Sequence, residues 1–331
     1  MAAALATKPP AVDDFPAFYT AAQHPGAVYA NTNSGMSGHF LPWLRIPSYA
    51  WMLQPFGALP YGTARVLWLI AIGVALALFA LLWRGERRSI AMALCWSFPV
   101  AFGFALGQDT GFVLLIAAVA ILLWLRNRFF LAGLCIAILA FKITFLFALA
   151  IPFLRSRRAA AGIGVGVAAQ AGLSFAIEPG WVRHYLAVLR ASALDPEPLK
   201  MIGIRSIAST LPYPRIAFAL GFAALMIWLW HMVADAPIID GVSSSLAIAL
   251  IAAPHCYVYD GVLLIPLLAK FASFESWPGR AALFGLSPMP FLLILAGASR
   301  GTALLGGALL IFSTCMVLRH SVAVRRETDN Q

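Results

Sequence analysis

Ten apolar segments, separated by loops of alternating character, constrain this 331-residue chain more than any other feature. They lie near 66–83, 89–106, 110–125, 129–154, 159–177, 213–234, 242–254, 260–272, 281–297 and 302–318. A helix needs roughly 20 residues to cross a bilayer, and the segments at 242–254 and 260–272 fall short of that. Charged residues are 11% of the chain, against about 25% in soluble domains. An all-α polytopic membrane protein is expected, one integral domain over 1–331. It would comprise an outer loop at 1–65, a membrane bundle at 66–318 and a tail at 319–331.

The net charge of +10 needs no nucleic acid. Arginines cluster in alternate connections: Arg84, Arg87 and Arg88; Arg126 and Arg128; Arg155, Arg157 and Arg158; Arg319, Arg325 and Arg326. Positive connections belong on the cytoplasmic side. A single crossing by 129–154 would then put Arg126 and Arg155 on opposite faces. Halves at 129–141 and 143–154 would each rise about 18–20 Å and return, so a re-entrant helical hairpin with Lys142 at its tip is expected. The competing reading is one long span with a buried lysine. The first 65 residues contain no apolar run to carry them outward, and a helix upstream of the numbering is expected.

With the hairpin, 1–65, 107–110, 178–212, 254–260 and 298–301 all fall outside, and they hold the rare ionisable side chains. Asp13 and Asp14 open the chain; Gln108 and Asp109 follow the second segment; His255 and Asp260 interrupt a later one. A charge in hydrocarbon costs several kcal/mol, so such residues mark a working cavity. Asp14, with Pro16 after it, has the form of a helix N-cap. It or Asp13 could equally be a general base removing a proton from a hydroxyl. Lys142 has the compact charge that suits a phosphate, or else pairs with Asp109 or Asp260. Arg205 and His255 are further phosphate candidates. Gln108, Asp109, Tyr19 and Asp260 are candidate substrate contacts. Trp181 to Arg190 reads as an amphipathic surface helix. Cys95, Cys135, Cys256 and Cys315 have no ligand spacing, and no metal or cofactor is expected. Nucleotide and zinc-protease motifs do not occur in the sequence.

An ordered series of short motifs resembles glycosyltransferase family 87, also known as DUF2029. It runs through Asp14-Phe15, Phe18-Tyr19 and Ala21-Ala22, then Pro47, Pro55-Phe56 and Leu59-Pro60. Ser97-Phe98-Pro99, Gly107-Gln108, Leu131-Ala132-Gly133 and Ala140-Phe141-Lys142 follow, then Trp181, Tyr185-Leu186, Pro254-His255 and Tyr259-Asp260. The resemblance implies a GT-C-type bundle, here about nine spans plus the hairpin, with a helix before the acidic loop. It implies a bacterial inner-membrane hexosyltransferase, mannosyltransferase-like and inverting, with its site facing the periplasm or exterior. The donor would be a polyprenyl-phosphate sugar, the acceptor a lipid or glycan, and Asp14 (or Asp13) the base. The chain departs from the family pattern at Arg45-Ile46-Pro47-Ser48, at Ile143 after the lysine and at Asp109-Thr110 after Gly-Gln. These departures bear on acceptor choice. A transporter or flippase for lipid-linked saccharides is the alternative reading.

Overall fold

The computed structural model describes residues 14–29, 43–84, 87–190, 201–295 and 300–329. Every regular element among them is helical. The acidic loop contributes α1 (Phe15–Gln23), α2 (Pro47–Met52) and α3 (Gln54–Gly57). The first long helix, α4 (Tyr61–Leu82), buries Ala64, Trp68, Ile72, Ala75 and Phe79 at spacings of three and four. Its other face leaves Val66, Leu67, Ile70, Val74, Leu78 and Leu81 exposed. An apolar stripe turned outward along 22 residues suits lipid rather than water.

The expected span at 89–106 is two helices, α5 (Arg87–Trp96) and α6 (Phe98–Ala105), bent by 58°. Ser97 sits at the break and caps α6, its hydroxyl accepting from the Val100 amide at 3.5 Å. Pro99, which has no amide proton to donate backwards, fits in that first turn. The segment at 281–297 is also bent, by 46°, between α16 (Trp277–Leu286) and α17 (Met289–Leu295). Pro288 and Pro290 mark that break. By length and composition, five helical stretches among the described residues could cross a bilayer, Phe129–Phe153 being one of them, or seven if each bent pair is one span. Shorter apolar helices complete the bundle: α7 (Thr110–Leu125) and α14 (Ile238–Ala252). The latter is buried on nearly every side, so it forms the centre of the bundle rather than its lipid face. The protein is a polytopic helical membrane protein.

Residues 129–153 are long and apolar enough for one straight span, but packing makes them a hairpin. The run comprises α8 (Phe129–Ala137), a 3₁₀ segment at Ile138–Lys142, α9 (Ile143–Ala150) and a 3₁₀ turn at Ile151–Phe153. A straight helix of this length would separate its ends by about 36 Å. Instead Phe129 and Phe153 both pack on Trp124, with ring centroids 4.8 and 5.5 Å away. Next in the chain comes α10 (Arg157–Ile177), which runs beside α8 in the same direction. Gly133 faces the Ala159 carbonyl, Gly166 faces Ala137, and Gln170 donates to the Ala137 carbonyl at 2.5 Å. Two neighbours can run parallel here because α9 carries the chain back. Lys142 lies at the turn with non-helical backbone angles, as the sequence predicts.

The connections that carry Arg126 and Arg128, and Arg155 to Arg158, meet at the end of the hairpin away from Lys142. Arg155 lies over Trp124 and donates to the Ala236 carbonyl. Residues 14–29, 43–60, 106–110, Lys142, 174–185, 201–209 and 253–260 gather at the other end. The remaining helices are α11 (Trp181–Arg190), α12 (Ile204–Ala208), α13 (Pro214–Val233), α15 (Ile265–Phe271) and α18 (Arg300–Asp329).

Candidate active site

The connection from α6 to α7 is the floor on which the site is built. Gly107 adopts φ +68°, a left-handed conformation natural to glycine. A side chain there would press on Phe15 and Trp68. The Trp68 indole donates to the Gly107 carbonyl at 2.6 Å, and the Asp14 amide donates to the Leu106 carbonyl at 3.1 Å. The acidic loop is thereby fastened to this turn. Asp14 occupies the cap position of α1, yet its carboxylate makes no capping bond to the helix. The Gln108 amide donates to Asp14 Oδ2 instead. The carboxylate of the cap residue is thus turned to Gln108 and not to the helix amides.

Beside this pair lies a buried ionic network. Asp109 is fully buried, and the Arg45 fork meets it with Nε 2.9 Å from Oδ2 and Nη2 3.0 Å from Oδ1. Tyr49 donates to Asp109 Oδ2 at 3.2 Å. Lys142 Nζ is 3.0 Å from Asp109 Oδ1 and 3.1 Å from Asp260 Oδ1. Thr110 donates to the same Asp260 oxygen at 2.8 Å. The other Asp260 oxygen accepts from the Tyr257 amide, while the Asp260 amide donates to the Tyr257 carbonyl. Two cations and two carboxylates thus hold one another where water is scarce.

Burial alone would raise the Asp109 carboxyl, but Arg45 and Lys142 outweigh it and hold the group well below the usual carboxylate range. Burial would likewise lower the Arg45 pKa, and Asp109 reverses that. The Tyr49 phenol is pushed well up, by burial first and then by the Asp109 charge.

His255 lies in the turn at the end of α14, half-buried, beside Cys256, whose carbonyl accepts from the Ile202 amide at 2.8 Å. This bond draws 201–203 against that turn. Arg205 follows in the first turn of α12, 5.9 Å over the Phe218 ring. The Tyr19 hydroxyl donates to the Leu59 carbonyl at 2.8 Å, and its ring packs on Phe15 and Tyr61. Asp13 lies outside the described residues. Asp14, Gln108, Asp109, Lys142 and Asp260 therefore form one chain of contacts, with Arg205 and His255 on the neighbouring turns.

Sequence reasoning gave no role to Arg45, Tyr49 or Thr110. Arg45 had a signal, being a lone cation between apolar residues in Trp43-Leu44-Arg45-Ile46-Pro47. Space at the centre is tight. A crevice bounded by Ile72, Leu76, Gln108, Thr110 and Tyr259 has about 10 Å³, room for at most one water. An open hollow of about 430 Å³ lies elsewhere, against Pro179, Val182, Arg183 and Leu186. No carboxylate lines it, so its size does not make it the reaction centre.

Searches of curated proteins and of solved structures return no match to the chain. A family model does match, over residues 43–266. That stretch is more than half of the chain and contains Arg45, Gln108, Asp109, Lys142, Arg205, His255 and Asp260, while Asp14 precedes it. With a buried ionic site at one end of a membrane bundle and this match across it, the chain belongs to glycosyltransferase family 87 and is a hexosyltransferase.

Proposed function

We propose that the enzyme transfers a sugar, mannose in the first instance, from a polyprenyl-phosphate donor to an acceptor hydroxyl with inversion. Asp14 is the base. It takes the hydroxyl proton as the acceptor oxygen bonds to the anomeric carbon, and the bond from that carbon to the phosphate oxygen breaks on the opposite face. Polyprenyl phosphate leaves with the electron pair. The observation that carries this reading is the Asp14 carboxylate, fastened by Gln108 rather than used as a cap, beside the Lys142 network. A general base of this kind contributes about 10²–10⁴-fold.

Lys142 supplies a cation whose position Asp109 and Asp260 define before substrate arrives. Such preorganised charge stabilises the phosphate as it departs. Those two carboxylates balance Arg45 and Lys142, so the departing phosphate calls on Arg205 and His255 for further positive charge and donors. Gln108 and Asp260 stand where sugar hydroxyls would meet them. The site faces the outer side of a bacterial inner membrane, with the arginine-rich end in the cytoplasm. The acceptor is a lipid or a glycan.

The test is transfer from synthetic polyprenyl-phosphate mannose into membrane extracts. Wild type is expected to transfer. Asp14→Asn is expected to lose at least about 100-fold in turnover while remaining folded, and Lys142→Ala to lose donor use. Transfer that survives Asp14→Asn would move the base to Asp13 or elsewhere. A folded wild type that transfers from no polyprenyl-phosphate sugar would remove the donor assignment.

A further inference from the structure

A second polar cluster lies between the acidic loop and the surface helix α11, apart from the Lys142 network. Glu178 ends α10, its amide donating to the Ser174 carbonyl. It is 7% exposed. Its Oε1 lies 2.7 Å from His184 Nδ1. Its Oε2 is buried and has no hydrogen-bond partner among the described residues, as is true of the indole nitrogen of Trp181 three residues on. Tyr29 and Tyr185 face each other with ring centroids 6.1 Å apart, and the Tyr29 ring lies 6.4 Å from His184. The His184 side chain is half exposed, so the cluster meets solvent there.

An ionised carboxylate oxygen can only accept a hydrogen bond, and an indole N–H can only donate one. Leaving both buried and unpaired is costly, and native structures rarely do so without a reason. A hydroxyl group satisfies both kinds at once, because it donates and accepts. Aromatic rings around such a pair provide an apolar face with a polar edge. This combination recognises a polyhydroxylated ring. The cluster is also coupled to the reaction centre: the Tyr29 hydroxyl donates to the Arg45 carbonyl at 2.8 Å, and the Arg45 side chain holds Asp109.

We propose that Glu178, Trp181, His184, Tyr29 and Tyr185 form an acceptor-side saccharide subsite, which positions the hexose whose hydroxyl is glycosylated. The assignment rests on the reading of this chain as a sugar transferase, and it is independent of which donor is used. Glu178 and Trp181 orient the acceptor and take no part in proton transfer.

The experiment is saturation-transfer NMR on the full-length protein in nanodiscs, with methyl α-mannoside, methyl α-glucoside and methyl β-galactoside as probes and no donor added. At least one probe is expected to receive saturation from the wild type. That signal should fall about five-fold or more in Glu178→Gln, which replaces a carboxylate acceptor oxygen with an amide, and in Trp181→Phe, which removes the indole donor. Circular dichroism and thermal unfolding on the same samples identify any variant that does not fold, and the other variant then decides. Signals equal to wild type in the folded variants, or no signal from any probe, would overturn the subsite. Because no turnover is needed, failure of the polyprenyl-phosphate donor in the transfer assay leaves this outcome readable. Where transfer is seen, Glu178→Gln should raise the acceptor KM about five-fold or more while kcat and the donor KM hold. An unchanged acceptor KM would count against the subsite.

Discussion

Asp109 carries more of the site's electrostatics than any neighbour, because Arg45, Tyr49 and Lys142 all converge on its two oxygens. Replacing it with asparagine keeps the shape and leaves two buried cations short of one counter-charge. Removal of one partner from a buried pair costs about 3–5 kcal/mol. Asp109→Asn is therefore expected to lower the unfolding midpoint of the detergent-solubilised protein markedly. The pH dependence has a definite sign. Asp109 titrates near about 3.9 when unfolded and lower when folded. Its stabilisation is thus complete above about pH 4 and declines as pH falls toward the folded value. The gap between wild type and Asp109→Asn, measured by thermal unfolding, should be constant at neutral pH and shrink below about pH 4. A gap that widens in acid would contradict the network. Lys142 was conspicuous in the sequence because ammonium groups are rare in apolar runs. Pairing with Asp109 or Asp260 was one of its two expected roles; that it meets both at once was decided by packing.

The α8–α9 hairpin and its contact with α10 are the element on which the placement of Lys142 depends. Gly133 and Gly162 let the two backbones touch, since a Cβ on either would collide with a carbonyl of the other helix. Backbone cannot yield as a side chain can, so Gly133→Val is expected to be among the severe destabilisers, above about 4 kcal/mol. Size-exclusion profiles and unfolding midpoints would show it, and a folded Gly133→Val with an unchanged midpoint would contradict the packing. The hairpin itself makes a prediction about sidedness. Arg128 and Arg158 are both exposed, one before and one after the hairpin. Cysteines at these two positions should react with a membrane-impermeant maleimide from the same face. Labelling from opposite faces would restore the single crossing. The hairpin was legible because two arginine clusters demanded one side, whereas the 58° break between α5 and α6 lay hidden inside one apolar segment, 89–106. Ser97 and Pro99 mark that break, but a hydropathy average blurs a proline inside an apolar run.

At the scale of the whole molecule, the polar site occupies one end of the bundle and the arginine connections the other. The direction of α13 tests this. It ends beside the Arg155 contact at Ala236, and about 30 Å separates that end from Tyr213, which is 72% exposed. With the site facing outward, Tyr213→Cys should be labelled in intact spheroplasts and Arg158→Cys after lysis. The reverse pattern would turn the enzyme to the cytoplasmic face.

By itself the sequence determined the solvent, most of the apolar helices and the roster of ionisable residues at one end, and it favoured the hairpin over one long span. These follow from hydropathy and from the energy of placing charge in lipid, which act residue by residue along the chain. Tertiary structure alone decided that Arg45 clamps Asp109, that Gln108 holds Asp14, and that Glu178 meets His184 beneath Tyr29. Hydrogen bonds and ion pairs depend on ångström distances between helices. A one-dimensional pattern states which groups are present and leaves those distances open until the helices pack.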